Sequence, residues 1–248
     1  MTLVRDFRER AVAALACLLA ATGPSLAGTD GTPQARANVA PNAARSAAAV
    51  APARTRDLWR GENIDALTQA SWRWLMSIPP GVSPIDAVDG VNCGINQQGP
   101  FWFVGGPIGQ SFSTTCTIPA GTAIVVPVNA YLDDYPCPNP AFKPAVGQSL
   151  ESFLQGDVAG VIDTVSLAEA QLDGKPLRAR RVTTGLFPFT GADGLTGFDP
   201  CVTGSPQVGV SDGYWVFIDP LPRGDHSLLL RSVNVFGSTQ GTYTLKIR

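Results

Sequence analysis

The chain has 248 residues, a formal net charge of −2 and 15% charged residues, against roughly 25% in an average soluble domain. No basic cluster is interleaved with aromatics, so nothing points to nucleic acid as a partner. The 26 glycines and 21 prolines favour many turns and short strands.

The N-terminus reads as an export signal. Arg5, Arg8 and Arg10 outnumber Asp6 and Glu9, Ala11 to Ala21 is apolar, and Ser25-Leu26-Ala27 puts small residues where cleavage before Gly28 requires them. The apolar run is far short of the ~20 residues that span a bilayer, which argues against an anchor. Cys17 raises a lipoprotein signal as an alternative, although Ala14 stands where such signals carry Leu. No later segment is long and apolar enough to span, so a secreted or periplasmic protein with no transmembrane segment is expected. Residues 28–56 are rich in Ala and Pro, almost lack large aliphatics, and set Asp30 against Arg36, Arg45, Arg54 and Arg56. Such a stretch buries too little surface to offset its ordering entropy and reads as a disordered linker, either a spacer or a tether for polyanions.

A single domain is expected from residue 57 to 248. Ile64, Leu67, Ser71, Trp74, Leu75 and Ile78 recur at helical spacing within 62–78, with Asn63 as a cap and Pro79-Pro80 as a stop. Trp72 lies off that stripe, either packed against a loop or serving as a ligand platform. Strands follow at 100–105 and 122–128. The segments 164–172 and 176–183 flank Asp173-Gly174, a dipeptide suited to a two-residue hairpin. The apolar run 214–218 predicts a central strand covered on both faces. Segment 227–236 reads as a long strand, and 242–248 alternates as a half-buried one. A second helix is expected at 148–162. The fold class that follows is mainly β, a two-layer sandwich or jelly roll with one N-terminal helix and one short inserted helix.

Cleavage would leave Cys93, Cys116, Cys137 and Cys201, an even count that in an exported protein argues for two disulfides. Three pairings are open. Cys93–Cys116 and Cys137–Cys201 are favoured, because the first pair flanks one strand and the second sits in two Pro-rich loops. No Cys-x-x-Cys spacing occurs and there is one histidine, His226, so a zinc site is not expected.

Catalytic motifs are absent: no Gly-x-Ser-x-Gly, no His-Glu-x-x-His and no phosphate-binding glycine loop. His226 stands in a turn that launches a strand, where a hydrogen bond closing the turn is the expected role. Charge distribution is more informative. Between Trp74 and Gly174 nine acids face one base, Lys143. The stretch from Cys116 to Cys137 carries an apolar strand into a polar cluster of Asn129, Tyr131, Asp133, Asp134 and Tyr135. A buried strand that ends in carboxylates and aromatics is a good mount for a site. Asp133, Asp134 and Asp89 are therefore the candidate catalytic groups, with Asn129, Tyr131 and Tyr135 as ligand contacts. Alternation along an extended strand lets only one of the adjacent aspartates point inward, and Asp133 shares a face with Asn129 and Tyr131. Asn96 and Gln97 beside Trp102 add amides next to an aromatic face, a combination that suits sugar rings. No cofactor is required. Calcium is an option at Asp86-x-x-Asp89-Gly-x-Asn92, which does not match the twelve-residue calcium loop.

Three phrases, Trp102-Phe103, Cys116-x-Ile118-Pro119-x-Gly121 running to Pro127-x-Asn129, and Asp219-Pro-Leu221-Pro-x-Gly224-x-His226, resemble secreted bacterial β-sandwich-type proteins of no assigned activity. The resemblance covers residues 72–248 and implies an exported β fold and no particular reaction. Two functions are expected: an exported binding or structural module for carbohydrate-like ligands, or a glycan-active hydrolase or lyase with paired carboxylates. The mature chain is predicted to begin at Gly28. N-terminal sequencing of exported material checks this, and retention of Met1 or a lipid on Cys17 would refute it.

Overall fold

The computed structural model describes residues 57–86 and 92–248, so the expected signal, the linker and Asp89 lie outside the described residues. Strands β1 (Leu58–Trp59) and β2 (Glu62–Asn63) form a small hairpin. Its turn residues Arg60 and Gly61 both take positive φ, as a tight two-residue hairpin demands. Helix α1 (Ile64–Met76) follows, with the Asn63 side chain accepting from the Asp65 N–H at 3.0 Å. Trp72 is buried along with the expected stripe because its Nε1 donates to Ser211 Oγ at 2.6 Å, which leaves it no part in a ligand platform.

Two five-stranded sheets pack face to face. The first has the order β3 (Phe101–Phe103), β5 (Ala123–Tyr135), β10 (Pro206–Ile218), β8 (Arg180–Thr183), with β9 (Phe187–Thr190) also on β10. The second has the order β4 (Ser111–Ile118), β12 (Gly237–Ile247), β11 (Gly224–Asn234), β6 (Leu167–Leu172), β7 (Lys175–Leu177). The pairs β3–β5 and β4–β12 are parallel and the others antiparallel. This is the expected β-sandwich. Two strands of these sheets escape the sequence reading, as do the short β1 and β2. β4 is a hydroxyl-rich run that buries Thr114, Cys116 and Ile118 on alternate positions, and β9 carries Pro188, tolerated because it pairs on one side only. The turn at Asp173-Gly174 forms as expected, both residues with positive φ. Beyond it the chain changes sheets, since β7 belongs to the second sheet and β8 to the first.

The inter-sheet core comprises Ile118, Ile124, Val126, Val216, Ile218, Leu228, Leu245 and Ile247, with Trp102 and the Cys93–Cys116 disulfide at one side. The outer face of the first sheet is covered by α1, where Trp74, Met76, Phe103, Val125, Phe187 and Trp215 pack together. Strand β10 is therefore central and buried on both faces, as its sequence predicts. The strands β5 and β10 pair over almost their whole length, from Val208↔Tyr135 to Ile218↔Ile124. Helix α2 (Leu150–Ile162) covers the far end of this pair, packing Leu154 and Val158 on Val210 beside Tyr131 and Tyr135. Among the described residues no helix is long and apolar enough to cross a membrane.

One register irregularity matters. The β5–β10 pairing shifts between Tyr214 and Trp215, so that Pro127 and Asn129 are consecutive partners and Val128 is the extra residue. Pro127 lacks an N–H, and a bulge is where a central strand tolerates it. The same ladder crosses Gly213, where a Cβ would come within 2.5 Å of the Ala130 Cα and 2.7 Å of the Asn129 carbonyl. Both obstacles are backbone or next to it, so Gly213→Ala is predicted to cost about 2–3 kcal/mol of stability, measurable by denaturant unfolding. A neutral result would contradict the close approach.

Candidate functional site

The polar end of β5 is strand rather than loop, and the expected site there does not open. Asp133 and Asp134 are both 0% exposed, which corrects the expectation that these aspartates line an open site with Asp133 pointing into it. The physical reason is coverage: adjacent residues of β5 do point to opposite faces, but both faces are covered at that point. Asp133 shares the face of Tyr131 and Tyr135, under α2, whereas Asp134 shares the face of Leu132 and meets the loop before β10. There the carboxylates of Asp134 and Asp199 and the sulfur of Cys201 lie within 4.8 Å of one another. That sulfur is committed to the Cys137–Cys201 disulfide, and Asp199 Oδ1 accepts the Cys201 N–H at 2.9 Å. The group thus lies against a loop held by that disulfide. Among the described residues it is the single metal-like cluster of this kind, and without a thiolate it is not a metal set of ordinary composition.

The other expected ligand contacts are also structural. Trp102 is 8% exposed and belongs to the inter-sheet core, so its ring offers no face to a ligand. The Gln97 carboxamide donates to the carbonyls of Cys93 (3.0 Å) and Phe103 (2.7 Å) and accepts the Phe103 N–H (3.0 Å). It satisfies the edge of β3 that no strand covers. Asn96 is exposed with φ 52°, and its amide reaches Ser77 Oγ at 3.5 Å. Asn129 accepts from Asn234 at 3.5 Å, Tyr131 lies against Phe236, and Tyr135 joins the α2 cluster. These residues do not line one cleft. Of the possible calcium turn, Asp86 accepts the Gly81 N–H at 2.8 Å and residues 87–91 lie outside the described residues.

The acid-rich block finds its bases elsewhere in the chain. Asp163 pairs with Arg181 (2.7 Å), Glu169 with Arg231 (3.6 Å) and Asp173 with His226 (2.7 Å). Arg181 also grips the almost fully buried Asp212 through Nε and Nη2, at 3.1, 3.0 and 2.6 Å. Hydrogen bonds to Asp212 raise the already high guanidinium pKa of Arg181, so the charge is permanent.

A surface cleft does form, at the point where the chain changes sheets. Two adjoining hollows of about 370 and 220 Å³ share Arg178 and Arg180. The first is completed by Asp57, Ala179 and Arg181, the second by Trp59, Leu177, Val216 and Phe217. The β1–β2 hairpin positions Trp59 with ring centroids 5.8 Å from Phe101 and 5.4 Å from Phe217. Arg60 ties that hairpin to Asp219, past the end of β10, at 3.2 Å. Arg180 is held to Asp57 at 2.9 Å, and both partners are exposed. The cleft is not legible from the expected single strand at 176–183, because the chain passes from one sheet to the other within it. Its signal was nonetheless present: three arginines in four residues, Arg178-Ala-Arg180-Arg181, immediately after the acid-rich block.

No family model matches the chain, and no curated protein matches it. A solved structure titled "Structure of PbICP-C in complex with falcipain-2" is similar at 8% identity and a TM-score of 0.24, over 60% of this chain and 100% of that one.

His226 closes its turn, as expected. Nδ1 faces Asp173 Oδ2 at 2.7 Å and Nε2 faces the Pro222 carbonyl at 3.0 Å. Both partners are acceptors, so the doubly protonated ring fits best. The hydrogen bond to Asp173 raises the His226 pKa above 6.5, and that to His226 lowers the Asp173 pKa below 3.8. The His226 contribution to stability is therefore full below pH 6.5 and lost as pH rises through its raised pKa. The Asp173 contribution is present above pH 3.8 and lost as pH falls through its lowered pKa. Thermal unfolding followed against pH should show the alkaline-side decline in the parent and not in His226→Gln. An unchanged decline in the variant would refute the assignment.

Proposed function

We propose that this chain is an exported binding module whose site for a carbohydrate-like ligand is the cleft between Trp59 and Arg178. The observation that carries the reading is the make-up of the second hollow, whose lining sets aromatic rings, Trp59 and Phe217, beside the guanidinium groups of Arg178 and Arg180. Saccharides present apolar C–H faces, which pack on aromatic rings, and hydroxyl edges, which accept from Arg N–H donors. Export is supported by the signal-like N-terminus and by two disulfides, which persist in oxidising compartments.

The rival reading, a hydrolase with paired carboxylates, has less support. Two carboxyl groups about 5–9.5 Å apart must face the scissile bond. The cleft lining contains one carboxylate, Asp57, while Asp133 and Asp134 are buried on opposite faces of a central pair of strands. The test is a screen of the purified mature chain against a glycan panel, read for binding and for released reducing ends. Binding without release, reduced at least tenfold by Trp59→Ala, is the expected outcome. Release of reducing ends would replace the module with an enzyme, and Trp59-independent binding would move the site elsewhere.

A further inference from the structure

We infer that the ligand of this cleft is acidic, a saccharide bearing carboxylates, with Arg178 as the residue that selects for charge. The inference rests on the binding-module reading above and adds the ligand class. Its basis is the charge balance of the lining. Three arginines and one aspartate face the first hollow. Two of those arginines are already matched: Arg181 by Asp212 and Asp163, and Arg180 by Asp57. Arg178 is exposed, lines both hollows, and has no ion pair among the described residues. An unmatched guanidinium at the junction of two hollows, within a chain of net charge −2, is a localised cationic feature.

The neighbouring ion pair makes room for a second contact. Arg180 and Asp57 keep 42% and 60% of their side-chain surface exposed, so their pairing is weak and exchangeable with a ligand carboxylate. Arg presents planar paired donors that match a carboxylate bidentately, which a point charge does not reproduce. The ring that bears such a carboxylate would lie towards Trp59 and Phe217, in the hollow that Arg178 and Arg180 share. Uronate polymers provide both chemistries at once, a carboxylate and a pyranose face on every residue. Anionic peptides provide only the first.

The experiment measures binding of the full mature chain by calorimetry to oligogalacturonate, to the same oligomer fully methyl-esterified, to dextran sulfate and to poly-glutamate. The expected result is oligogalacturonate bound about tenfold or more tighter than its ester, weakening as salt rises. Arg178→Gln should erase that preference, so that the variant binds acid and ester alike and both no tighter than the parent binds the ester, and Arg178→Lys should restore only part of it. Because Arg178 is exposed and unpaired among the described residues, Arg178→Gln should keep the parental melting temperature. Equal binding of acid and ester would overturn the charge inference and leave the binding module standing. Failure of all the saccharides in this panel and of the neutral glycan panel would overturn both. Binding of poly-glutamate or dextran sulfate as tight as that of oligogalacturonate would overturn the choice of a carboxylated saccharide.

Discussion

The structure depends on the antiparallel pairing of β5 with β10. Both strands are 13 residues long, and the second sheet alone does not cover them. The inter-sheet core covers one face up to the bulge at Val128, α2 covers the remainder of that face, and α1 covers the other. Each covering element is amphipathic, and its apolar stripe is used up on this ladder. The bulge allows it, because an extra residue at Val128 keeps Tyr131 and Tyr135 on the side where α2 packs.

Full coverage has an electrostatic consequence. Asp133, Asp134 and Asp212 all belong to this ladder and are all buried, and a buried carboxylate persists only where partners offset its desolvation. For Asp212 the partner is Arg181, which reaches it from β8 and carries a second carboxylate, Asp163, at the surface. The charges that looked available for chemistry are instead enclosed by the elements that cover this ladder.

The disulfides follow from the same ladder. Because β5 and β10 are antiparallel with Tyr135 opposite Val208, the residues after β5 lie beside those before β10, and Cys137 meets Cys201 there. Cys93–Cys116 joins the segment before β3 to β4 and so ties the two sheets together. Each bridge adds stability of about 2–4 kcal/mol by restricting the unfolded chain. With the edges and loop ends fixed in this way, the crossover from β7 to β8 is where Arg178, Arg180 and Trp59 gather at the surface.

The sequence by itself determined what local periodicity and composition can carry. The capped helix after Asn63, the Asp173-Gly174 turn, the central apolar strand at 214–218, the final alternating strand and the cysteine count are all properties of short windows, and each was legible there. The hydroxyl-rich β4 was not, because a strand with a polar outer face and few large residues resembles a loop until its partner β12 is known. The site was legible least. Whether Asp133 and Asp134 face water depends on α2, whose helical span begins 16 residues after Asp134, and on a loop held by Cys201, 67 residues after Asp134. The cleft depends on Asp57 and Trp59 meeting Arg178, Arg180 and Phe217, residues far apart in the chain. Burial and charge pairing are set by long-range contacts, and those only the tertiary structure decided.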